Sequence, residues 1–194
     1  MFKGEFREAH ENSATFPEDS ADAFELLLEW IYTGKFNSVN PFAEDALLTA
    51  TIHARIHLYG LAEKICLPEL ADYTMNMLAA KALFTPQLTP PTAELVRIAY
   101  EITTRGSPLR KLISLLLHFY MRDPFESTSA RKVSLVLVEG DADVVEDVIL
   151  HLRDQDQGVN KLKHPRSLPA CTFHQHSDHE ICHYKKFGLE GEGR

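Results

Sequence analysis

At 194 residues, 44% hydrophobic and with a formal net charge of -8, the chain is long enough for one sizeable core and too acidic for general binding along a phosphate backbone. Three cysteines are too few for a disulfide framework and fit a reducing, intracellular setting, cytoplasmic or nuclear. The polar, acidic opening residues do not read as a signal peptide, and no apolar run approaches the ~20 residues that span a membrane. The first strong element is Phe24-Glu25-Leu26-Leu27-Leu28-Glu29-Trp30-Ile31-Tyr32-Thr33-Gly34, a helix apolar on nearly every side. Asp19 or Ser20 can cap its start, and Gly34 can take the left-handed position that ends it. The i, i+3, i+4, i+7 spacing assigns Phe24, Leu27, Leu28 and Ile31 to the inward face, with Ala23, Leu26 and Trp30 on the flank and Glu25 and Glu29 in water.

A second helix is expected over residues 42–64, with Ala46, Leu47, Ala50, Ala54, Leu58 and Leu61 inward. Pro68 suits the first position of a third, which should end near Leu83. Thr85 to Pro91 holds three prolines and marks the expected boundary between the two halves of the chain. Thr92 or Pro91 opens a helix that stops at Gly106. Ser107-Pro108 then caps another, strongly apolar through Leu112, Ile113, Leu116, Leu117 and Tyr120. Val133 to Val138 is β-branched and too short for periodicity to separate strand from helix. Asp141 or Asp143 caps the next helix, with Val144, Val145, Val148, Ile149 and Leu152 in one stripe. Beyond Gln155 the pattern is lost, and the tail is expected to be disordered unless a metal orders it.

No nucleophile elbow, phosphate loop, dinucleotide fingerprint or zinc-protease motif occurs, so nothing nominates a catalytic residue. His53 and His57 have metal-ligand spacing, but the sequence supplies no third ligand near them. Side-chain chemistry is concentrated in the tail, where Cys171, His174, His176, His179, Cys182 and His183 fall within 13 residues. The Cys-x2-His and His-x2-Cys spacings nominate Cys171, His174, His179 and Cys182 as four ligands for zinc, which suits soft sulfur and imidazole. The plain alternative is a histidine-rich end with fortuitous cysteines.

Several runs carry a resemblance. Phe2-Lys3-Gly4-Glu5-Phe6, Phe16-Pro17-Glu18-Asp19, Trp30-Ile31-Tyr32-Thr33-Gly34, Leu58-Tyr59-Gly60-Leu61-Ala62-Glu63-Lys64 and Leu67-Pro68-Glu69-Leu70 resemble the second half of a BTB/POZ domain, and Ala99-Tyr100-Glu101-Ile102-Thr103 with the Cys171 to His176 tail resembles the extension of its fungal members. The resemblance implies a mainly α fold: a partial BTB/POZ domain over residues 1–84 without its opening hairpin and first helix, a helical extension over 92–155 in which Val133 to Val138 is helical, and a flexible tail over 156–194. It also implies a non-enzymatic protein-interaction module, without the homodimer surface of the absent half. Phe42-Ala43-Glu44 matches the hydrophobic-x-acid pattern of family members that recruit cullin ubiquitin-ligase scaffolds, which makes Phe42 and Glu44 candidate partner-binding residues and this chain a candidate substrate adaptor. Phe42 can equally staple the start of the second helix. The alternatives are a small zinc-binding protein acting through its tail and a truncated product without independent function.

Overall fold

The computed structural model describes residues 19–36, 45–79, 90–122, 127–156, 164–176 and 182. Phe42, Glu44, His179, the expected helix end near Leu83 and residues 85–89 of the expected boundary lie outside them. Among the described residues the fold is mainly α, with no strand. Its helices are α1 (Ala21–Thr33), α2 (Asp45–Lys64), α3 (Pro68–Met77), α4 (Ala93–Ile102), α5 (Pro108–Arg122), α6 (Ser127–Glu139) and α7 (Ala142–Asp156), followed by 3-10 turns at Pro165–Ser167 and Ala170–Phe173.

Local chemistry sets several helix ends. Ser20 accepts from the Ala23 N–H at the start of α1, and Gly34 closes it at φ 71° with its N–H on the Trp30 carbonyl, a conformation that costs glycine little. Thr92 caps α4 by accepting from Leu95 N–H. The Ser107 hydroxyl accepts from Leu109 N–H beside Pro108, the first residue of α5. Val133 to Val138 lies within α6, with Val133 and Val136 buried.

The inward face of α1 differs from the expected one. Ala23 and Leu27 are buried and Leu26 and Trp30 pack on the core, while Phe24 and Leu28 are partly exposed and Ile31 is 56% exposed. Ala23, Leu26, Leu27 and Trp30 obey the same i, i+3, i+4, i+7 rule, so a helix apolar all round satisfies two registers. The observed one turns the small Ala23 toward α2, against which α1 packs, and two helix backbones approach closely where a side chain is small. In α2 the expected Leu47 is 62% exposed and Ala50 is exposed, whereas Leu48, Ile52, Ile56 and Tyr59 are buried beside the anticipated Leu58 and Leu61. Large apolar side chains remove more area from water than alanines do, and they decide the rotation. In α7 the stripe is narrower than expected: Val144 and Val148 are buried but Ile149 is largely exposed.

The buried apolar residues form one cluster that runs from Ala23 through Val148 to Phe173. Helix α2 packs on α1, α3 and α4, and α5 packs on α4, α6 and α7. Gly60 marks a close approach of α2 to the end of α4, since a Cβ there would lie 3.0 Å from the Ile102 side chain and 3.1 Å from its carbonyl oxygen. Part of the expected disordered tail belongs to this core. The turn at Ala170–Phe173 packs on α3 and α5, with Phe173 buried and Leu168 against the cluster, because an aromatic anchor repays the ordering of a short turn.

Candidate metal centre

The anchored turn brings four ligand-bearing side chains together. One donor atom each from Cys171, His174, His176 and Cys182 lies within 4.8 Å of all the others. His174 Nδ1 stands 3.2 Å from His176 Nε2 and 3.4 Å from Cys182 Sγ. A tetrahedral zinc site with metal–nitrogen bonds near 2.05 Å and metal–sulfur bonds near 2.3 Å has N···N edges of about 3.3 Å and N···S edges of about 3.5 Å. These two separations are therefore close to the edges of such a tetrahedron, within a group whose donor atoms span up to 4.8 Å. His174 and Cys182 are buried, His176 is half-buried and Cys171 faces water.

The surroundings orient the ligands. His174 Nε2 lies 2.9 Å from Asn76 Oδ1 on α3, and a carbonyl oxygen can only accept, so Nε2 carries the proton and Nδ1 keeps its lone pair for the cluster. This is the outer-sphere arrangement that fixes tautomer and ring angle in metal-bound histidines. One residue on, Gln175 N–H donates to Asp72 Oδ1 at 2.7 Å, and its side-chain amide donates to Glu63 Oε1 at 2.9 Å and to Tyr59 Oη at 3.2 Å. Tyr59 and Ser107 hydroxyls donate to that same Glu63 oxygen. Burial, before any other influence, pushes the Tyr59 phenol above its ordinary range, so it remains a donor. Lys111 Nζ donates to the Thr172 carbonyl. Thus α2, α3 and α5 each hold the turn that carries the ligands.

Of the four residues nominated from spacing, Cys171, His174 and Cys182 converge and His179 lies outside the described residues. The fourth converging group is His176, present in the same run but passed over because His-x2-Cys looked like the second half of a paired motif. Asn76 and Asp72 were not anticipated. Their signal was Asp72 and Asn76 at i, i+4, with Thr74 between them, in a segment where Leu70, Ala71, Met75 and Met77 mark a core-facing helix, a pattern that asks for buried partners. His53 and His57 are half-buried on α2 and join no group of metal-binding geometry among the described residues. Burial first, then neighbouring His53, holds the His57 imidazole below its usual range.

Family models, curated proteins and solved structures contain no match to this chain. No helix among the described residues is long and apolar enough to cross a membrane.

Proposed function

We propose that this chain is a non-enzymatic helical module whose C-terminal segment is fastened to the bundle by a structural zinc ion. The observation that carries the reading is the convergence of Cys171, His174, His176 and Cys182 within 4.8 Å. Two thiolates and two imidazoles suit zinc above harder cations. Four protein ligands also complete a tetrahedron, leaving no open position for a metal-bound water, which is the difference between structural and catalytic zinc sites. Purified full-length protein reconstituted with zinc and desalted should carry one zinc per chain, and cobalt in its place should give the intense thiolate charge-transfer absorption of a tetrahedral sulfur site. A ratio near zero contradicts the proposal.

A second reading, protein binding of the BTB/POZ type with cullin recruitment as its most specific form, is supported by the outer face of α1. Phe24, Leu28, Ile31 and Tyr32 form an apolar strip, with Tyr32 84% exposed, and exposed aromatic and aliphatic side chains in one row are what interface anchors look like. Pull-down of a cullin scaffold by the wild-type chain, lost on Ile31→Glu and on Phe42→Ala with helical circular dichroism unchanged, supports that form. Absence of wild-type binding at micromolar concentration removes it.

A further inference from the structure

We propose that the Cys171–Cys182 pair is a peroxide-oxidisable site, in which formation of an intramolecular disulfide ejects the metal; this rests on the zinc reading above. The two sulfurs belong to one group no wider than 4.8 Å, yet their environments differ. Cys171 is exposed and Cys182 is buried against the His174 ring. An oxidant in water meets the first sulfur, and the second, already beside it and shielded, is placed to resolve the product. Both would be held as thiolates by the metal, which is the reactive form of cysteine. Exposed Cys66, the remaining cysteine, sits just past the end of α2 and belongs to no such group among the described residues.

The chemistry balances with hydrogen peroxide as the oxidant. The Cys171 thiolate attacks one peroxide oxygen; an S–O bond forms, the O–O bond breaks, and hydroxide leaves to be protonated by solvent. The Cys182 thiolate then attacks the sulfenic sulfur; the S–S bond forms, the S–O bond breaks, and the second hydroxide leaves as water. Two electrons pass from the sulfur pair to the peroxide. With both sulfurs consumed, His174 and His176 alone remain, and two imidazoles do not hold zinc against a competing chelator. Closure requires the exposed Cys171 side chain to move to bonding distance of Cys182, while Phe173 keeps the turn in the core.

The test treats the full chain, reconstituted with zinc, with a small molar excess of hydrogen peroxide. Released metal is followed with a chromogenic chelator, and disulfides are mapped by peptide mass spectrometry. Expected are release of one zinc per chain, a Cys171–Cys182 linkage in step with that release, the same behaviour in Cys66→Ser, and full recovery of binding after reduction. Retention of zinc while Cys66 oxidises overturns the proposal, as does a disulfide that involves Cys66. A parallel sample of reduced, metal-free protein separates the two ideas. If zinc never binds but the Cys171–Cys182 bond still forms, the metal reading falls and the oxidation site stands. If zinc binds and no such bond forms, the reverse holds.

Discussion

Asn76 is the residue on which the geometry of the cluster turns, because its carbonyl decides which nitrogen of His174 is free to bind. Asn76→Ala should lower zinc affinity by about 10 to 100 fold, the usual effect of removing an outer-sphere partner, with helical content unchanged; competition titration against a chelator measures it. Arg110 plays a purely structural part of similar precision. Buried in α5, it donates to the Tyr100 and Thr103 carbonyls at the end of α4, to the Thr103 hydroxyl and to Asp143 on α7. Arg110→Leu strands the buried Tyr100 and Thr103 acceptors and should cost about 2 to 4 kcal/mol in urea unfolding. Hydrogen bonds from Arg105 first, and then from Arg110, hold the Asp143 carboxyl below its ordinary range. A depressed carboxylate stabilises the folded chain above its unfolded pKa, and that contribution disappears as pH falls through the folded value. Asp143→Asn should therefore flatten the acid limb of the stability profile, and an unchanged limb would show that the guanidinium contacts contribute nothing.

At the scale of the helix, α1 gives the sharpest contrast. Leu27→Ala should cost about 2 to 5 kcal/mol, as buried leucines do, while Ile31→Ala, at a side chain 56% exposed, should cost clearly less. The two were assigned to the same inward face by spacing, so their difference tests the rotation of the helix. Gly60→Ala should cost about 1 to 3 kcal/mol by pushing α2 from the Ile102 backbone. What was legible in the chain follows from how local each signal is. Gly34, Thr92 and Ser107-Pro108 announce helix ends because capping involves only adjacent residues. The inward faces of α1 and of the first half of α2 differ from those the spacing implies because rotation is chosen by a neighbouring helix: α1 has apolar residues on both candidate faces, and in α2 Leu47 and Leu48 are adjacent, so periodicity alone does not choose between them.

For the whole molecule, the C-terminal turn joins elements far apart in sequence: Gln175 reaches Glu63 on α2 and Asp72 on α3, and Lys111 on α5 reaches Thr172. All four converging residues lie in the Cys/His run, but the choice of His176 depends on a docking surface that no local motif records. A metal bound only by the folded chain stabilises it by mass action, so unfolding temperature should rise with free zinc. The most direct test of the account is the metal stoichiometry of zinc-reconstituted, desalted full-length protein, compared with Cys182→Ser and His174→Ala. One zinc per wild-type chain and none in either variant is the predicted result. A wild-type ratio near zero, or a variant that binds zinc as the wild type does, would contradict it.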